Sequence, residues 1–170
     1  MQARLPEFCD LFQLADRHAV VSGQWPIAKL PRLVTMLGSD KGIVEAEFNF
    51  GKLGKTAYVK GRVSAEVELT CQRCVELMEY TLESEFALGL IDNEALVDRL
   101  PEEFEALLTE GRHFLPDVIE DELILAVPFV PAHDNSCSSY MIDQKEEQKL
   151  QQVVEEEKKP NPFAALKDLM

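Results

Sequence analysis

The chain has 170 residues, 46% of them hydrophobic, and a formal net charge of −14; a chain of that length buries a core without staples and fits one domain with tails. It holds no run of about 18 apolar residues, which excludes a membrane-spanning helix, and Met1-Gln2-Ala3-Arg4-Leu5-Pro6-Glu7 lacks the apolar stretch of a secretory signal. The expectation is a cytoplasmic protein whose four cysteines are reduced thiols or metal ligands, not a disulfide framework.

Charge is polarised along the chain. Residues 1–74 carry 10 basic and 8 acidic residues, a net +2, and residues 75–170 carry 7 and 23, a net −16. An acidic half of that size suits a basic partner such as a ribosomal protein, or serves solubility alone. Phe8, Leu11, Phe12 and Ala15 recur at helical spacing and predict a short helix over 7–17. Residues 18–25 are predicted as a strand with a turn at Ser22-Gly23, and residues 31–37 as a second short helix ended by Gly38. From Val44 the period becomes two: Val44, Ala46, Phe48 and Phe50 alternate with Glu45, Glu47 and Asn49. After a loop at Gly51-Lys52-Leu53-Gly54, Ala57, Val59, Gly61, Val63, Ala65, Val67 and Leu69 share one face. Tyr58, Lys60, Arg62, Ser64, Glu66 and Glu68 share the other, wet face. The alternation resumes at Met78, Tyr80 and Leu82 and runs to Leu90. Three strands joined by short loops predict an antiparallel meander with Cys71-Gln72-Arg73-Cys74 at the tip of its second hairpin.

Pro101 followed by Glu102 and Glu103 predicts a helix start over 101–108. Residues 116–127 are predicted as a helix with acids toward its N-terminal end, stopped by Pro128 and Pro131. Residues 141–159 read as a charged linker. Asn161 and Pro162 are good N-cap and N1 residues for a short helix over 160–170 that projects Phe163, Leu166 and Leu169. That helix is either a docking element for a partner or a segment that packs back on its own domain.

Two fragments carry the chemistry. Cys71 and Cys74 at a hairpin tip form a half-site in which both sulfurs can point at one ion, and His133 and Cys137 supply a second. Together they predict a structural zinc ion, with metal-free reduced cysteines as the alternative. Arg73 between the thiols favours thiolate. A redox Cys-x-x-Cys wants a helix N-terminus, which the strand pattern here does not offer. There is no Gly-x-Gly-x-x-Gly, Walker loop or His-Glu-x-x-His, and His18, His113 and His133 stand in no nucleophile pattern, so no catalytic residue is assigned. A direct RNA contact needs cations beside stacking groups. The candidate is the outer face of the first hairpin, with Lys52, Lys55, Tyr58, Lys60 and Arg62, extended by Arg73. The same residues also suit an ordinary solvated sheet face.

Several fragments follow one another in a set order: Cys71-Gln72-Arg73-Cys74, then Glu120-Asp121-Glu122-Leu123-Ile124-Leu125-Ala126-Val127-Pro128 with Pro131 and His133, then Cys137, then Lys159-Pro160-Asn161-Pro162-Phe163-Ala164-Ala165-Leu166. In that order the chain resembles the bacterial YceD family, the large ribosomal RNA subunit accumulation proteins, over most of its length. The resemblance implies a role in synthesis, processing or stability of 23S ribosomal RNA and no established enzymatic activity.

The expected architecture is an α+β domain over residues 1–140, built on an antiparallel β-meander with short packing helices and followed by an acidic C-terminal tail. The expected function is that of a non-enzymatic ribosome-biogenesis factor, not bound to membrane. It would bind a ribosomal precursor particle or a basic ribosomal or biogenesis protein and touch 23S rRNA. Contact residues are expected at Lys60, Arg62, Arg73, Phe163, Leu166 and Leu169. The alternative is a zinc- or thiol-dependent redox or regulatory protein with no RNA role.

Overall fold

The computed structural model describes residues 4–135 and Cys137, and Met1–Ala132 make one compact unit. In chain order the elements are β1 (Phe8–Asp10), α1 (Leu11–Asp16), β2 (Val20–Pro26), α2 (Pro31–Val34), β3 (Ile43–Leu53), β4 (Thr56–Thr70), β5 (Leu77–Ile91), β6 (Glu105–Leu108), β7 (Arg112–Phe114) and α3 (Leu115–Ala126). Short 3-10 helices lie at Ile27–Lys29 and Glu94–Arg99. β2 to β6 form one sheet in sequence order, antiparallel until β5 pairs with β6 in parallel. β1 and β7 form a separate antiparallel ribbon. The fold is α+β, as its strand alternation and short helices predict.

Register in the meander follows from burial, because a one-residue slip would turn every apolar side chain to water. Val44 pairs with Ala65, Ala46 with Val63 and Phe50 with Val59, and all six side chains are buried. Gly61, opposite Phe48, leaves the space that the Phe86 ring fills from β5. A Cβ at Gly61 would collide with that ring and stand 2.8 Å from the Glu47 carbonyl oxygen.

α3 covers this face with Leu115, Val118, Ile119 and Leu123. With Trp25, Phe48, Leu69 and Leu82 they form the center of the core. Each such side chain contributes roughly 1.5–3 kcal/mol relative to exposure.

A buried carboxylate pins α3 to α2. The Glu120 Oε1 accepts the backbone N–H of Arg32 at 2.6 Å and of Leu33 at 3.0 Å, and its Oε2 accepts Arg32 Nε at 2.8 Å. Asp121 Oδ1 accepts Arg32 Nη1 at 2.6 Å. The Leu30 cap of α2 has no side-chain acceptor for the orphan N–H groups of the first turn, and Glu120 provides one from a distant part of the chain.

Some local expectations change. The helix predicted over 7–17 contracts to Leu11–Asp16 because Asp10 becomes its N-cap, with Oδ1 accepting the Gln13 N–H at 3.0 Å. Phe8 lies on β1 instead and meets Phe114 across the ribbon at a centroid distance of 4.9 Å. β2 runs through Ser22-Gly23 without turning, since β3 pairs with it along its whole length. The helix predicted over 31–37 is cut to Pro31–Val34.

Residues 101–108 are not a helix. Phe104 N–H closes a turn on the Pro101 carbonyl at 3.0 Å, and the chain continues as β6 along the free edge of β5. Edge pairing outweighs a local helix-start signal. The helix predicted over 116–127 is α3, with Asp117 in its first turn, where the helix dipole favours an acid, while Glu120, Asp121 and Glu122 lie beyond that turn. The charged linker at 141–159 and the helix at 160–170, with Phe163, Leu166 and Leu169, lie outside the described residues.

Candidate metal centre

β4 and β5 part after the Thr70–Leu77 pair, and residues 71–76 make the turn. The Cys71 N–H donates to the Glu76 carbonyl at 2.9 Å, and the Val75 N–H returns to the Cys71 carbonyl at 2.9 Å. The Arg73 N–H donates to Cys71 Sγ at 3.4 Å. Closing the turn puts Val75 at a φ of 63°. For a β-branched residue the left-handed region costs about 1–2 kcal/mol. The Val75 side chain is 78% exposed, so burial does not offset that strain. The Gln72 N–H donates to the Pro131 carbonyl at 2.8 Å, which brings the segment leaving α3 to this turn.

Among the described residues, Cys71, Cys74, His133 and Cys137 make the one group of side chains that could hold a metal ion. One ligand atom from each lies within 4.8 Å of all the others; Cys71 is buried and the other three are half-buried. Tetrahedral zinc with Zn–S bonds of ~2.3 Å needs ligand atoms on the order of 3.8 Å apart. Three thiols and one imidazole fill every position of a tetrahedral ion and leave none for water or substrate, the composition of a structural site. The residues fit zinc. All four were legible in the sequence.

The cations expected at an RNA contact stand in a different setting. Lys60 Nζ bonds Glu103 at 3.2 Å and lies 5.2 Å and 5.6 Å from the ring centroids of Phe104 and Tyr58, which stack on each other at 5.1 Å. Arg62 Nη2 contacts Glu83 at 3.3 Å, and Lys52 pairs with Asp16. Glu47 and Glu85 face Arg62 from the two neighbouring strands. The cations belong to a lattice of alternating charge. Arg73 is exposed on the metal turn.

Sequence reasoning missed Glu122. It is buried on α3, and its Oε2 accepts the Ser84 hydroxyl at 2.9 Å. Burial pushes its carboxyl pKa up, the Ser84 hydrogen bond pulls it down, and the Glu105 and Asp121 charges push it up further. The available signal was Ser84, a polar residue in the inward-facing row of β5, where a half-buried hydroxyl needs a partner.

Comparison with known proteins agrees with these motifs. A family model described as Large ribosomal RNA subunit accumulation protein YceD matches residues 59–170, which take in the metal turn, α3 and the C-terminal Asn-Pro-Phe-Ala sequence. A protein of Haemophilus influenzae with the same description is 34% identical over 173 residues, covering 99% of this chain and 97% of that protein. No solved structure matches.

Proposed function

The chain belongs to the YceD family of large ribosomal RNA subunit accumulation proteins, and on that premise we propose that it supports accumulation of 23S rRNA as a non-enzymatic binding factor in the cytoplasm. The observation that carries this reading is the end-to-end match, 34% identity spanning 99% of this chain and 97% of its relative. The −14 net charge and the ion pairs of Lys60 and Arg62 favour an approach to the large-subunit precursor through a basic protein over wide contact with phosphate.

In this reading zinc is a staple. Cys71, Cys74, His133 and Cys137 would hold it, and the ion would supply fold stability and no reaction step. The turn between β4 and β5 has no helix N-terminus to poise a redox thiol, so the thiol-oxidoreductase alternative gains no support.

Deletion of the gene tests the role. The ratio of 23S to 16S rRNA should fall and recover with the wild-type chain, and the protein should co-sediment with large-subunit precursors. An unchanged ratio refutes the reading. Metal analysis of tag-free protein should return about one zinc per chain; a content below ~0.1 removes the metal from the account.

A further inference from the structure

α3 ends in a bare apolar surface. Leu125 is 76% exposed, Val130 is 61% exposed and Phe129 is fully exposed. All three lie within residues 125–130, from the last turn of α3 to the residue before Pro131. Large apolar side chains grouped in water and rimmed by polar groups mark an interaction site.

The rim here is acidic. Leu125 and Ala126 form one wall of a cavity of about 390 Å³ whose other walls carry Glu83, Glu85, Glu102, Glu103, Glu105 and Glu122. Lys60 and Arg62 engage Glu103 and Glu83. Glu85, Glu102, Glu105 and Glu122 make no ion pair among the described residues. Glu122 is 8% exposed and meets a neutral hydroxyl where a buried carboxylate favours a cation. Phe86 and Ala87 line the same cavity and offer apolar contact to the stem of a lysine or arginine.

Building on the rRNA-accumulation reading, we propose that this surface binds a basic protein segment. One Lys or Arg side chain of the partner enters the glutamate cavity, and its apolar neighbours cover Leu125, Phe129 and Val130. Charge complementarity selects this occupant. RNA would set its phosphates against a cavity lined by six glutamates, four of them in no ion pair among the described residues. A second copy of the chain would set like charge against like.

Photo-cross-linking of the full-length chain tests the proposal, with benzoylphenylalanine in place of the fully exposed Phe129. The probe is the RNA-free protein fraction extracted from purified large ribosomal subunits. Cross-links should fall on Lys- or Arg-rich segments. They should weaken about ten-fold or more with Glu85→Lys plus Glu105→Lys, and with Leu125→Ser, the scale of a lost anchor. Glu45→Lys, away from the cavity, should leave them unchanged. Thermal melts confirm that each variant is folded.

Cross-links confined to a second copy or to rRNA, or unaltered by the charge reversals, overturn the proposal. So does full recovery of 23S rRNA in a deletion strain carrying Leu125→Ser with Phe129→Ser. Failure of the parent reading is a separate result, seen as an unchanged 23S level on deletion itself.

Discussion

The metal turn and the Lys60/Arg62 face both involve β4, and both suggest function from sequence. They respond differently to folding. At the turn the chemistry is local: a two-residue spacing and a hairpin closure bring two sulfurs together, and the Arg73 N–H aims at one of them. On the face, the meaning of each cation depends on what the neighbouring strands set beside it. Glu47 and Glu85 flank Arg62, and Glu103 reaches Lys60 from the loop before β6. A ligand set is written in spacing. A charge patch is a sum over neighbours that only the fold chooses.

Removing a thiol probes this contrast hardest. Cys71→Ser deletes the buried ligand and is expected to abolish zinc binding. It should also lower stability by about 3 kcal/mol or more, because metal-binding energy in a closed site is folding energy. Denaturant melts with and without a chelator measure it. A variant that melts like the parent, with the parent insensitive to chelator, would reduce the turn to an ordinary hairpin. Val75→Gly acts at the same turn with opposite sign. Glycine meets no penalty at φ 63°, so the variant should be more stable by about 1 kcal/mol, net of glycine's greater freedom when unfolded. A destabilised Val75→Gly would mean that the exposed valine makes a contact worth more than its strain.

Effects on the sheet face should be smaller. Lys60 and Glu103 are each about half exposed, and a double-mutant cycle on Lys60→Ala and Glu103→Ala should return a coupling below about 1 kcal/mol. Reversing Lys60 and Arg62 to glutamate should leave co-sedimentation with large-subunit precursors unchanged. Loss of co-sedimentation would make these two residues an RNA contact despite their carboxylate partners, and the contrast with the turn would fail.

What was legible follows the same division. The long strands β3, β4 and β5 carry their own period-two pattern, and α3 carries its length and its proline stops. β1, β6 and β7 are only three or four residues long. Each exists because a partner far along the chain offers an edge, so Glu105-Ala106-Leu107-Leu108 shows no alternation of its own. The four residues that could hold a metal ion were readable from residue type and the Cys-x-x-Cys pair. The left-handed Val75 was not, since nothing in a valine asks for positive φ. Glu122 was not, because its neighbours Ser84 and Glu105 come from other elements.

Glu122 also supplies the smallest and most diagnostic expectation. Burial and the carboxylates of Glu105 and Asp121 hold its pKa above the unfolded value of ~4.3. The fold therefore prefers the protonated acid. Its contribution to stability is fully present below the unfolded value and is lost as pH rises through the folded one. Glutamine keeps a carbonyl oxygen for the Ser84 hydroxyl and carries no charge. Glu122→Gln should match the parent near pH 4 and exceed it at pH 8, by less than about 1 kcal/mol, the scale of one exchanged hydrogen bond. Urea melts at the two pH values read the difference. A variant less stable at both would mean that the cavity already compensates its carboxylate, and a partner's cation would then have no unmet charge to answer. A gain confined to high pH would mark the opposite case: Lys60 and Arg62 satisfy acids at the rim, and the innermost one is left for a cation that this chain does not provide.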